Sequence, residues 1–194
     1  MNKIFCIGLA KTGTTSLYEA MVQLGFKSVH GFLEDENRKF EDYQFISDMP
    51  VQTRFEALDQ RFPGSKFIYT FRQKESWFKS CERFFSQHHP PEKMTSITLR
   101  YRIEQFGITG FDKKIFSRVY DEHKVRVENY FEDRPDDFLK MDICGGDSWN
   151  KLCDFLELPL PDKNISFPAK NQAGQKRKFS SFLVPKIIKD KFFL

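Results

Sequence analysis

The residues of this 194-residue chain best suited to chemistry stand near its start, where Lys11, Thr12, Thr14, Thr15 and Ser16 cluster around two glycines five positions apart, Gly8 and Gly13. Glycines at that spacing let the backbone curl around an anion, and a helix beginning just behind them aims its unpaired N–H groups at the same point. The hydroxyls add further donors. In the usual nucleoside-triphosphate loop, G-x-x-x-x-G-K-[ST], lysine follows the second glycine, whereas here Thr14 holds that place and Lys11 lies inside the turn. Two later positions also carry chemistry: Asp48 follows Gln44-Phe45-Ile46-Ser47, and Arg72 follows Lys66-Phe67-Ile68-Tyr69-Thr70-Phe71. A triphosphate-Mg²⁺ machine needs an acidic strand end to hold its metal. Arg72 attracts a second anion instead, so a ligand with two separate anionic ends suits the chain better, and no residue pattern calls for a metal.

These groups need elements to hold them. Ile4-Phe5-Cys6-Ile7 is short, apolar, β-branched and aromatic, as a central parallel strand is. Leu17, Met21 and Leu24 give helical spacing over residues 14–24, and Gly25 closes that helix. Short strands are expected at 27–30 and 44–47, the latter stopping at Asp48-Met49-Pro50, and a polar helix or loop at 35–43. Phe55, Leu58 and Phe62 mark a helix over 51–62, ended by Pro63-Gly64. The strand at 66–71 runs into a helix carrying Trp77, Phe78, Cys81, Phe84 and Phe85, which His88-His89-Pro90-Pro91 breaks. Residues 92–112 show no clear period. Further helices are expected at 116–131, 149–156 and, in the basic tail, 185–193, with a strand at 138–141. Alternating strands and helices predict an α/β fold, three-layered with a mainly parallel central sheet, P-loop-like, and one domain over 1–194. Ligands of such sheets sit beyond the carboxyl ends of the strands, so Lys11, Asp48 and Arg72 should meet in one crevice.

Composition narrows the partners. The chain has 31 Lys and Arg against 27 Asp and Glu, a formal charge of +4, which mildly favours an anionic ligand. No basic stripe interleaved with aromatics suggests nucleic acid, and Lys176-Arg177-Lys178 reads as a solvated tail. The four cysteines, Cys6, Cys81, Cys144 and Cys153, lack metal or redox spacing and read as reduced structural thiols. No segment approaches the roughly 20 apolar residues of a membrane span, and the N-terminus falls short of a secretory signal, so a cytoplasmic protein is expected.

The two anion-binding features together resemble the sulfotransferases that use 3′-phosphoadenosine-5′-phosphosulfate (PAPS). Members carry a loop close to K-[ST]-G-T-[TS] after the first strand, matched by Lys11-Thr12-Gly13-Thr14-Thr15, and an arginine with a serine eight positions on, matched by Arg72 and Ser80. The resemblance implies that the loop, Ser16 included, binds the 5′-phosphosulfate, that Arg72 and Ser80 hold the 3′-phosphate, and that 3′-phosphoadenosine-5′-phosphate (PAP) is a product, with no metal. It implies sulfuryl transfer to a hydroxyl or amine of a small-molecule or glycan acceptor. A small P-loop kinase and a non-catalytic nucleotide-binding module are the alternatives. Soluble members end an intermediate strand in threonine-histidine-leucine-proline, the histidine being the base; Ser47-Asp48-Met49-Pro50 corresponds, so Asp48 takes the base position or caps a helix starting near Pro50. Lys11 would stabilise the leaving phosphate. Tyr120 and His123 match the family's later part, as adenine contacts or as core, the core reading being favoured for both. His88 and His89 are expected in solvent, though within reach of an acceptor. The family's proline two residues after the arginine is missing, and its late arginine-lysine-glycine segment has only a loose substitute in residues 171–177.

Overall fold

The computed structural model describes residues 2–31 and 39–169. Five short strands, β1 (Ile4–Cys6), β2 (Ser28–His30), β3 (Phe45–Ser47), β4 (Lys66–Thr70) and β5 (Phe138–Met141), form one sheet in the order β2-β3-β1-β4-β5, with every pair parallel. Parallel neighbours require crossovers, and the helices supply them. Side chains alternate across a strand. Ile4 and Cys6 therefore face α1 (Thr14–Gln23) and α6 (Trp149–Leu156), while Phe5 and Ile7 face α2 (Phe55–Arg61) and the end of α5 (Lys113–Tyr130). Helices on both faces make the three layers that the alternating pattern predicts. A third apolar cluster joins α3 (Lys74–Glu82), α4 (Ser96–Phe106) and the start of α5, with the rings of Phe106 and Phe116 stacked at 4.1 Å.

Strand positions and the helix at 149–156 follow the sequence pattern. Two helices do not. The helix expected from residue 51 starts only at Phe55, because successive turns take its first residues: Val51 N–H bonds Asp48 O, Thr53 N–H bonds Pro50 O, and Arg54 N–H bonds Val51 O. Asp48 is thus no helix cap. In the stretch without a period, α4 has Thr95 as its N-cap, whose hydroxyl accepts from Thr98 N–H, and Gly107 with φ 74° as its C-cap. Its pattern is masked by Arg102, which is buried, stacks its guanidinium on Phe85 at 4.7 Å and donates to the carbonyls of Thr109 and His89. Residues 171–177, the basic run at 176–178 and the helix expected at 185–193 lie outside the described residues, as does most of the polar stretch before residue 39. No helix among the described residues is long and apolar enough to cross a membrane.

His123 is core, as expected. It is buried on α5, and its Nε2–H donates to Ile7 O at 2.7 Å. Burial pushes its pKa down to about 4, against the smaller raising effect of that bond. The unfolded chain therefore binds an extra proton between pH 6.5 and about 4. Stability is full above pH 6.5 and falls as the pH drops through that window, by roughly 3 kcal/mol at most. Urea midpoints measured across the window should decline in the wild type and stay flatter in His123→Gln.

Candidate active site

The loop after β1 is anchored on β4. A Cβ at Gly8 would lie 2.0 Å from Thr70 Oγ1 and 2.3 Å from Thr70 O, so only glycine fits there. Thr12 Oγ1 donates to Leu9 O at 2.6 Å and accordingly accepts from Thr70 Oγ1 at 2.8 Å. Trp77 Nε1–H donates to Ala10 O at 2.8 Å, tying the loop to α3. Lys11 and Gly13 take left-handed backbone, φ 73° and 106°. Gly13 is the N-cap of α1; it offers no side-chain cap, and no acidic residue stands in the first turn to offset the helix dipole.

This loop forms one side of a cleft of about 950 Å³ at the carboxyl ends of the strands. Lys11, Gly13, Thr14, Thr15, Ser16, Asp48, Arg72 and Ser80 all line it. Of the residues expected at the site, Thr12 does not; it is buried and its hydroxyl holds the loop together. Register explains the convergence. β1 lies between β3 and β4, with Cys6 paired to Ser47 on one side and to Ile68 on the other, so the loop emerges between Asp48 and Arg72.

Lys11 Nζ sits 4.4 Å from the centre of the Phe84 ring. Burial lowers its pKa, and Arg83 and Arg72 lower it further. Arg72 Nε–H donates to Ser76 Oγ at 2.7 Å, and its carbonyl accepts from Tyr120 OH at 2.8 Å. Tyr120, packed on Trp77 and missing from the cleft lining, fixes the backbone of Arg72. Neither Lys11, Arg72 nor Arg83 has a carboxylate partner among the described residues.

Asp48 holds a left-handed backbone, φ 76°, which aspartate tolerates better than most side chains. Oδ1 accepts from Met49 N–H at 3.0 Å, and the side chain is one-third exposed. Its Oδ2 lies 3.8 Å from Nε2 of His30, a residue that pattern reading leaves as the mere end of a strand. The same topological rule that marks Asp48 and Arg72 could have marked it, since it ends β2 as they follow β3 and β4. His30 Nδ1 lies 2.8 Å from Ser47 Oγ, Nε2 lies 3.2 Å from Thr15 Oγ1, and Tyr18 stacks on the ring.

The far wall comes from the π-helical turn Arg83–His88, from α4 and from the turn Ile143–Gly145. His88 and His89 line it, and His89 packs on Phe84 at 4.4 Å, so the loop expected in solvent borders the cleft, with His88 exposed. Cys6, Cys81 and Cys153 are buried; Cys144 is exposed at the cleft. No group of His, Cys, Asp and Glu among the described residues could hold a metal ion.

A glycine-bounded loop between β1 and α1, cations at the cleft and an all-parallel sheet define an α/β protein of the P-loop type. A family model described as a sulfotransferase domain matches residues 3–39 and 33–176, and the chain belongs to that family. It is also similar to Ava biosynthesis cluster protein M of Aspergillus versicolor, with 24% identity over 209 residues, spanning 84% of this chain and 79% of the relative.

Proposed function

We propose that the protein transfers a sulfuryl group from PAPS to a hydroxyl or amine of a small-molecule or glycan acceptor. One observation carries this reading: Lys11, Arg72 and Arg83 line one cleft, none of the three is ion-paired to a carboxylate among the described residues, and the helix N-terminus beside them has no side-chain cap. Like charges held together in a partly buried site are unfavourable until an anion joins them. A donor with a 5′-phosphosulfate and a separate 3′-phosphate supplies two. In this reading the N–H groups at the start of α1 and the hydroxyls of Thr14, Thr15 and Ser16 receive the 5′ end. Arg72 and Ser80 receive the 3′-phosphate, Lys11 neutralises charge gathering on the departing phosphate, and Asp48 serves the acceptor side, where Phe84, Phe85 and Tyr101 offer an aromatic wall.

Calorimetry with PAP on the full chain, in the absence of added divalent metal, tests the donor half. Tight binding of PAP and much weaker binding of ATP is the expected result; no binding of PAP sinks the proposal. Release of PAP from PAPS on addition of acceptors then tests transfer, and binding without transfer would leave a nucleotide-binding module.

A further inference from the structure

We infer that proton removal from the acceptor is the work of a His30–Asp48 pair, with His30 Nε2 taking the proton and the Asp48 carboxylate stabilising the resulting imidazolium. The inference rests on the sulfotransferase reading for its reaction, and on the geometry of two neighbouring strand ends for its residues.

Hydrogen bonding sets the state of the ring. Ser47 Oγ–H donates to Val29 O at 3.3 Å, so its oxygen is left to accept, and the partner at 2.8 Å is His30 Nδ1. Neutral His30 therefore carries its proton on Nδ1 and a lone pair on Nε2. That lone pair faces the cleft, between Thr15 Oγ1 at 3.2 Å and Asp48 Oδ2 at 3.8 Å. A lone pair beside a carboxylate is a poor arrangement. Adding a proton to Nε2 turns the contact into an ion pair, and the Thr15 hydroxyl can rotate from donor to acceptor.

Position is fixed before any ligand arrives. His30 is paired in register with Ser47 across β2 and β3, and Tyr18 stacks on its ring at 5.6 Å. The charged and titratable groups facing it from the packed elements are Asp48 beyond β3 and Tyr18 on α1, with Lys11 and Arg72 further along the same cleft. Free imidazole is also about two pH units more basic than a free carboxylate, closer to the optimum for a general base near neutrality.

In the step, the acceptor O–H bond breaks and its proton passes to Nε2. The oxygen's electron pair forms the new O–S bond, and the bond from sulfur to the bridging oxygen breaks, leaving its pair on the 5′-phosphate. Asp48, one-third exposed, then offers the proton a route to water.

Nitrogen NMR of the imidazole rings in the full chain, with the His30 signal assigned by its loss in His30→Gln, tests the pair without any acceptor. The expected result is an Nδ1–H tautomer for neutral His30, in the wild type and in Asp48→Asn alike. Asparagine also tolerates left-handed backbone, so that variant should fold. An Nε2–H tautomer overturns the inference. With PAPS and phenols of graded acidity, His30→Gln should slow PAP release by about a hundredfold for weakly acidic phenols and far less for 4-nitrophenol. PAP affinity should stay at the wild-type value. An equal loss for every phenol assigns His30 a structural role and overturns the inference. Failure of the wild type to bind PAP sinks the sulfotransferase reading instead, and leaves the NMR result to decide the pair.

Discussion

Replacing Lys11 by methionine is expected to lower kcat for sulfuryl transfer by about 10²- to 10³-fold, equivalent to about 3 to 4 kcal/mol, while KM for PAPS changes much less. The asymmetry follows from when the charge appears. The bridging oxygen gains its charge only as the bond to sulfur breaks, so an ammonium aimed there strengthens its interaction in the transition state and not in the ground state. Methionine keeps an unbranched stem to pack on Phe84 and meets the same backbone at φ 73° that lysine does. Thermal melting should consequently stay near the wild-type midpoint. Steady-state kinetics by PAP release check the result; a KM effect with unchanged kcat would reassign Lys11 to donor binding alone.

The second large effect falls on Arg72. Arg72→Ala should weaken PAP binding by about 30- to 150-fold, the equivalent of about 2 to 3 kcal/mol for a charge-assisted contact. Adenosine 5′-phosphate, which lacks the 3′-phosphate, should bind the variant and the wild type alike. That comparison isolates the 3′ contact from any general loss of positive charge. Arg72→Lys should recover little of the affinity, because the planar guanidinium is held by Ser76 through Nε with its remaining N–H groups left for an anion, a geometry an ammonium cannot reproduce. The bond from Tyr120 to Arg72 goes to the backbone carbonyl and survives all three side chains. Calorimetry with both nucleotides reads the outcome, and an equal loss for the two would remove Arg72 from the 3′ position.

The fold and the cleft were legible to different depths, for physical reasons that particular residues show. Strands buried on both faces write continuous apolar runs, and the loop glycines mark a turn that other residues cannot make, so β1, β4 and the α1 start are visible in the chain. The rule that ligands gather at carboxyl strand ends then brings Asp48 and Arg72 beside Lys11, and all three line one cleft. What stayed hidden depends on contacts distant in sequence. Arg102 is polar by type yet buried, since carbonyls from His89 and Thr109 satisfy it, and that conceals α4. His30 gains its meaning only from strand register with Ser47 and from the approach of Asp48. Residues 51–54 look helical by apolar spacing but are committed to turns that follow Asp48.

The ties between the loop and β4 bear on how a donor is chosen. Thr12 is bonded to Thr70, and Ala10 to Trp77, while Arg72 stands two residues beyond Thr70 and Ser80 three beyond Trp77 on the same segment. On the proposed reading, the two places for anions are the jaws of a caliper, since both are tied to one segment. Such a frame would measure a nucleotide by the span between its phosphates and not by how many it carries in a row. A chain of three phosphates at one end, however abundant, would then leave one jaw closed on nothing.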